Sequence, residues 1–332
     1  MYQPEAYAVA LTFMLVSMVC WGSWANTMKL APGYPFQLFY WDYIVGLLLA
    51  SLAWGLTLGS AGGGGSSFAQ SIAQADGAHI GYALAGGAVF NVANLLLVAA
   101  IEIAGLAVAF PLGIGLALIV GTLITYAQTP RGDPLLLFGG MALVVLAIIL
   151  NAIAFRRREA TRSRVTQRGI WLSVGCGLLM GSFYPLVNSA MTGGAGALNP
   201  YSVTLFFAIG AAICAVPLNL FFMRRPVTDT PPLAMSAYAV ARPTWHLWGI
   251  AGGLIWMTGM VFNVVASAAQ IVGPAISYAI GQGATMVSVV WGVFVWKEFA
   301  QAPHDARKLL LPMFVLFVAG LSAIAVAPLF GR

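Results

Sequence analysis

Charge is what this sequence has least of. Only 7% of its 332 residues are Asp, Glu, Lys or Arg, and 61% are hydrophobic, whereas an ordinary soluble domain carries roughly a quarter charged residues. A soluble domain is excluded and a membrane protein is implied. Cysteine is scarce as well. Cys20, Cys176 and Cys214 fall in apolar runs with no metal-ligand spacing and no loop partner, so buried, inert thiols are expected instead of disulfides or a metal centre. The three histidines, His79, His246 and His304, lie at segment ends and are expected to be solvated, with no spacing for a metal. No helical His-Glu-x-x-His occurs, and a nucleophile with its base at membrane depth is missing, so no enzyme and no cofactor are expected. Gly62 to Gly65 precede no Gly-Lys-Ser/Thr. A phosphate cradle is thereby excluded, and the stretch from Ser60 to Asp76 reads as a flexible loop. The first residues lack the basic segment of a secretory signal, so the first apolar run is expected to stay as a helix.

What the chain does have is ten apolar runs, at about 7–28, 38–59, 79–100, 104–126, 134–155, 169–190, 201–223, 247–269, 273–296 and 308–330, each near the 20 or so residues that cross a bilayer. Runs such as Leu135–Leu150 show no alternation of period two, which excludes a barrel. The predicted fold is therefore all-α, with ten membrane helices. Basic residues sort to alternate loops. Arg156, Arg157, Arg158, Arg162, Arg164 and Arg168 follow the fifth run, Arg224, Arg225 and Arg242 the seventh, and Lys297, Arg307 and Lys308 the ninth. By the positive-inside rule these loops are cytoplasmic and both termini are not. The net charge of +6 is accounted for by topology, and no nucleic-acid partner is expected.

The second half repeats the first. GLAVAFPLGIG (105–115) aligns with GPAISYAIGQG (273–283), pairing Gly105 with Gly273 and Phe110 with Tyr278. Phe90-Asn91-Val92 recurs as Phe262-Asn263-Val264, and Gly22-Ser23-Trp24 as Gly181-Ser182-Phe183. Residues 1–155 and 169–332 thus read as two five-helix repeats joined by an arginine-rich linker, 156–168. An odd number of crossings per repeat inverts one half against the other, an arrangement associated with alternating-access transport around a midplane site.

Polar residues within the runs are the candidate site. Trp21 and Trp24 offer ring faces to a sugar or a flat heterocycle, or else anchor a helix end at the interface. Phe183 and Tyr184 are the candidates facing them from the second half, and Phe110 and Tyr278 join the set through the repeat. Asn26, Asn91, Asn94, Asn188, Asn263 and Gln282 supply both hydrogen-bond senses without a buried charge, either to a neutral solute or between helices. Asp42, flanked by Trp41 and Tyr43, is the candidate proton carrier, since desolvation disfavours the charged carboxylate. The alternative is a structural pair with Lys29 across the turn. Glu102, in the turn into the fourth helix, and Glu298, beside Lys297, are expected to be interfacial or paired.

The Trp21-Gly22-Ser23 motif, Lys29 and its following turn, Trp41-Asp42-Tyr43 and FPLGIGLALIVG (110–121), set in a five-plus-five arrangement, resemble the drug/metabolite transporter superfamily. Within it the closest likeness is to two branches, the bacterial glucose/ribose/rhamnose porters and the ureide permeases. The chain departs from the plant ureide permeases in having a short central loop. The resemblance implies a protein of the bacterial inner membrane that imports a small neutral polar solute by proton symport. The solute classes it leaves open are a monosaccharide such as ribose, a ureide and a nucleobase. The competing expectation is an exporter of metabolites or drugs. The expected partners are the solute, protons and the lipid bilayer, and a monomer is compatible with the sequence.

Overall fold

The computed structural model describes residues 1–62, 65–105, 108–109, 111–158, 166–226, 231–269 and 271–330. Among them there are helices and no strands. Ten segments are long and apolar enough to cross a membrane: α1 (Tyr7–Lys29), α2 (Phe36–Leu56), α3 (Gly77–Ala104), α4 (Pro111–Gln128), α5 (Pro134–Arg158), α6 (Gln167–Met191), α7 (Pro200–Arg224), α8 (Pro243–Ala268), α9 (Pro274–Val295) and α10 (His304–Phe330).

Local chemistry sets several of the starts. The Asn199 side chain accepts hydrogen bonds from the Tyr201 and Ser202 amides at 3.0 and 2.9 Å, ahead of Pro200 in the first turn of α7, which satisfies donors a helix start leaves open. Thr166 caps α6 and Asp76 caps α3 in the same way.

Pro111, shortly after helical Val108 and Ala109, sits in a π-helical turn, Pro111–Gly115. Two expectations need correction. The third helix runs on to Ala104, so Glu102 lies in its last turn and not in a connecting turn. The stretch expected to be a loop holds a short helix, Phe68–Gln74, closed by a reciprocal Ser67–Gln70 capping box and pinned by buried Phe68 against Gly55. Gly63 and Gly64 lie outside the described residues.

The helices associate in pairs. α3 lies along α6 and α7, and α8 along α1 and α2. α4 meets α6 and α9, α5 meets α10, α1 meets α9, and α2 meets α7. Several crossings bring backbone against backbone, two of them most closely. A Cβ on Gly87 of α3 would lie 1.9 Å from the Phe207 carbonyl oxygen of α7, and one on Gly210 of α7 would lie 2.1 Å from the Leu84 carbonyl oxygen of α3. The α2–α8 crossing has the same form, where a Cβ on Gly46 would lie 2.2 Å from the Ile250 carbonyl oxygen and one on Gly253 2.0 Å from that of Tyr43. Large side chains such as Leu135, Leu247 and Leu311 are exposed on the outside, the face a lipid environment requires.

α9 is broken at its middle. Its first helix ends at Gly281 and the next begins at Ala284, leaving Gln282 and Gly283 in a turn at the level of the cavity described below.

Overpacking costs about 1–3 kcal/mol in an ordinary core, and here no side chain is available to move aside. Gly87→Val is expected to lower the thermal midpoint of detergent-purified protein by several degrees or to abolish a monodisperse peak. Gly81→Ala, on the same helix with nothing within 4 Å of its Cβ, is expected to leave both unchanged. Equal behaviour of the two variants would show that the close crossing is dispensable.

Candidate functional site

A cavity of about 370 Å³ lies where the two halves of the chain meet. Its base is aromatic. Trp256 of α8 packs on Phe90 of α3 with centroids 4.3 Å apart, and Trp21 of α1 stacks on Trp256 at 5.7 Å. Phe183 of α6 sits edge-on to Phe90 at 5.5 Å, and Trp24 lines the wall while packing against Tyr43 at 4.9 Å. Along α3 the lining residues are Phe90, Asn94, Leu97, Val98, Ile101 and Glu102, spaced three and four apart as one helix face demands. Across the cavity, α9 contributes Gln282, Thr285 and Ser288.

Of the residues singled out from sequence, Trp21, Trp24, Asn94, Phe183 and Gln282 come together on this cavity. Asn26 lines a smaller neighbouring cavity of about 270 Å³, where its side-chain oxygen accepts from Trp296 Nε1 at 2.6 Å. Asn91 is one layer behind the lining. Tyr40 Oη donates to its Oδ1 at 2.8 Å and accepts from Asn94 Nδ2 at 3.4 Å, while its own Nδ2 has no partner among the described residues. Four others lie away from the cavity. Tyr184 donates to Asn263 Oδ1 at 2.6 Å, and Asn263 Nδ2 donates to the Ser277 carbonyl and to Ser17 Oγ. Tyr278 donates to the Ala117 carbonyl at 3.2 Å, and Asn188 donates to Gln128 and Thr129. These bonds tie helices together, the use that satisfies a polar side chain in an apolar surrounding. Phe110 lies outside the described residues.

Among the lining residues that the site reading from sequence missed are Trp256, Phe90, Thr285 and Ser288. Trp256 lies well inside α8, away from the ends where interfacial tryptophans gather, and that position was the available signal.

Asp42 does not pair with Lys29. Its carboxylate, 1% exposed, accepts from Tyr238 Oη at 2.6 Å, Tyr34 Oη at 2.8 Å and His246 Nδ1 at 3.0 Å. Burial, and after it the bond to Asp42, pushes both tyrosine hydroxyls above their ordinary range, so they remain neutral donors. His246 is therefore bonded and not simply solvated, and the cluster fastens the short helix Met235–Ala239 to the start of α2. His79 likewise has partners, with Nδ1 2.8 Å from Asp76 Oδ1 and Nε2 2.9 Å from the Thr192 carbonyl oxygen.

Lys29 instead meets Glu298 at 2.6 Å, and Arg158 reaches the other oxygen of that carboxylate at 2.7 Å. Glu298 therefore pairs across elements, not with its neighbour Lys297. This triad joins the ends of α1 and α5 to the segment after α9. Burial opposes the charge on Glu298, but the two cations outweigh it and hold the carboxyl below the usual carboxylate range.

Ten membrane helices enclosing a solute-sized cavity define a multi-pass membrane protein of the class that includes permeases. The family model for ureide permeases matches residues 39–169 and 160–327, and the chain belongs to the ureide permease family. It is a transport protein and not an enzyme. It is 23% identical to ureide permease 1 of Arabidopsis thaliana over 98% of both chains, and 23% identical to ureide permease 5 of the same plant over 95% of this chain and 93% of that one. It is 21% identical to a probable ureide permease A3 of Vigna unguiculata over 76% of this chain and 86% of the other. A crystal structure with 14% identity superposes with a TM-score of 0.65 over 95% of this chain and 96% of that one, which shows a shared fold.

Because its carboxyl is held low in the fold, Glu298 contributes stability above the ordinary carboxylate pKa, and the contribution disappears as pH falls through the depressed value. Partly exposed pairs contribute at most about 1 kcal/mol each. Glu298→Gln is expected to melt a few degrees below wild type at pH 7, with the gap closing on acidification towards pH 4. A gap that widens in acid would contradict this account of the triad.

Proposed function

We propose that the chain is a secondary transporter that imports a small, flat, neutral polar solute, with a ureide or nucleobase-like compound favoured, by alternating access coupled to protons. The carrying observation is the cavity itself. Trp21, Phe90, Phe183 and Trp256 line it from both halves, and Asn94 of α3 and Gln282 of α9 add amides. Stacking faces suit a planar ring, and amides meet the mixed donors and acceptors of a ureido group. The printed names of the relatives, ureide permeases, support the same solute class. A monosaccharide has less support, because hydroxyls around a non-planar ring need more polar partners than the walls offer.

The proposal includes an inverted five-plus-five repeat within the drug/metabolite transporter superfamily, with units 1–155 and 169–332. Exchanging each helix for the one five positions away turns the α1–α8 contact into α6–α3, α2–α8 into α7–α3, and α1–α9 into α6–α4, and all of these contacts occur. Gly105 and Gly273, matched in sequence, share positive φ angles of 75° and 89°. Under the positive-inside orientation in a bacterial inner membrane, the cavity runs from the aromatic layer towards the cytoplasmic ends of α1 and α3. That geometry fits an inward-open stage of the cycle, with the solute released from the side of Glu102. A discontinuous α9 at cavity depth is a feature that such sites use.

Asp42 enters the proposal as the proton-coupling group. In its support, the buried carboxylate shares its surroundings with a second titratable side chain, His246 at 3.0 Å, so protonation there would loosen the hold on the segment before α8.

Reconstituted vesicles with an inward proton gradient are expected to accumulate allantoin or uracil in preference to ribose. Trp256→Ala is expected to reduce the rate about tenfold, in keeping with an aromatic contact of about 1.5 kcal/mol. Asp42→Asn is expected to abolish gradient-driven accumulation while sparing exchange. Ribose uptake alone would overturn the ureide reading, uptake indifferent to the gradient would overturn symport, and outward movement of the solute under the same gradient would favour export.

A further inference from the structure

Asn94 is the amide that α3 contributes to the cavity, and Tyr40 behind it fixes which end of that amide the cavity meets. Tyr40 of α2 is wholly buried, with its hydroxyl between two asparagines one turn apart on α3. Its oxygen lies 2.8 Å from Asn91 Oδ1 and 3.4 Å from Asn94 Nδ2. A hydroxyl has a single proton to give. An O–H···O bond spans about 2.5–3.0 Å between oxygens, so the proton goes to Asn91. The longer contact is then an N–H that Asn94 donates to the hydroxyl oxygen. With both amides turned the other way, the hydroxyl would have to reach an Asn94 oxygen at 3.4 Å, outside that range.

Asn94 Nδ2 is thereby spent behind the wall, and Oδ1 is left. That oxygen has no partner among the described residues, yet it is not sealed away as the unpartnered Asn91 Nδ2 is. Asn94 is 4% exposed, and the open space that it lines is the cavity. Two other polar side chains of the wall have no such fixed sense. Among the described residues no bond holds the Gln282 amide or the Thr285 hydroxyl, and each can turn to serve a donor or an acceptor. Ser288 is already committed, donating to the Gly22 carbonyl at 3.0 Å. Of the three uncommitted groups, Asn94 is the one that meets a solute as an acceptor only.

We propose, on the reading of this cavity as the solute site, that Asn94 Oδ1 determines specificity and that Tyr40 is its positioning residue. The cavity then selects flat neutral solutes with an unsubstituted ring or urea N–H and rejects isosteres that carry oxygen in its place. The N–H donates to Oδ1. A ring oxygen at that point would set lone pair against lone pair and leave Oδ1 unpaired once water is displaced, a penalty larger than the net worth of the bond itself. Sites built around such a bond discriminate against the analogue that lacks it more sharply than an apolar wall can.

Oxindole and 2-coumaranone, flat and isosteric, differ by N–H against O at one ring position. In calorimetric titration of the full-length protein in lipid nanodiscs at pH 7.5, wild type is expected to bind oxindole about tenfold more tightly, the weight of one bond left unmade. Tyr40→Phe frees the Asn94 amide to turn Nδ2 to the cavity. It is expected to weaken oxindole and strengthen 2-coumaranone until the two affinities meet. Asn94→Leu is expected to lose the preference and Gln282→Leu to keep it. A merely structural role for Tyr40 would weaken both ligands alike, and that result would overturn the proposal. So would no preference in wild type, an undiminished preference in Asn94→Leu, or its loss in Gln282→Leu. Should Tyr40→Phe fail to fold, Asn94→Leu decides. Because the titration needs no transport, an N–H preference with failed allantoin and uracil uptake would sink only the transport reading. Uptake of either without an N–H preference would sink only this one.

Discussion

The two closest backbone-to-backbone crossings set the frame on which the rest of the molecule depends. Where α3 meets α7 and α2 meets α8, glycines on both partners leave no room for even one added carbon. In a bilayer the lipid tails are as apolar as the side chains, so helices gain little by hiding from solvent, and close van der Waals packing carries the association. The crossings draw α2, α3, α7 and α8 into one core that holds Phe90, Phe207 and Trp256. α1, α6, α4 and α9 pack around that core, and the α5–α10 pair lies against α4 and α9 on the far side. The space that is left falls between α1, α3, α6 and α9, and it is the cavity.

Within that frame polar groups do two kinds of work. Asn263, Tyr184 and Ser277 form a closed set, each bonded to the next or to backbone, and such a set rigidifies its surroundings because breaking any member strands a buried polar atom. Asp42 with Tyr34, Tyr238 and His246, and Glu298 with Lys29 and Arg158, act at helix ends, where they hold connecting segments in place. Asn94 and Gln282 border the cavity, Asn94 while also donating to Tyr40 Oη at 3.4 Å. The difference between the two kinds is one of surroundings, not of residue type.

That difference explains how far a reading of the residues could go. Composition and run length made all ten membrane helices legible, since a bilayer imposes its thickness on every one of them. The ends were less legible. α3 continues to Ala104, with Glu102 beside a cavity that apolarity does not report. For the site, Trp21, Trp24, Asn94, Phe183 and Gln282 were visible as polar or aromatic residues in unusual places, but Asn188, Asn263, Tyr184 and Tyr278 carried the same signal and make bonds between helices. Only the three-dimensional neighbours tell these groups apart. Lys29 and Asp42 are near each other in sequence and were natural partners on that basis. The fold offered each a better one from more than 200 residues away, Glu298 and His246.

The same reasoning bears on why the cavity needs both halves of the chain. Each aromatic face of its base is completed from the other side, Phe90 by Trp256 and Phe183, and Trp21 by Trp256. A solute held there would touch helices from both halves of the chain, so any shift between those helices would change its contacts. Rigid crossings at α2–α8 and α3–α7 would have to persist through such a shift, because their backbone contacts admit no sliding without a clash. The α1–α9 and α4–α6 contacts, which flank the interruption in α9 at Gln282 and Gly283, are close as well but less so, since a Cβ on Gly22 would lie 2.6 Å from the Ala284 carbonyl oxygen and one on Gly177 2.5 Å from that of Leu112.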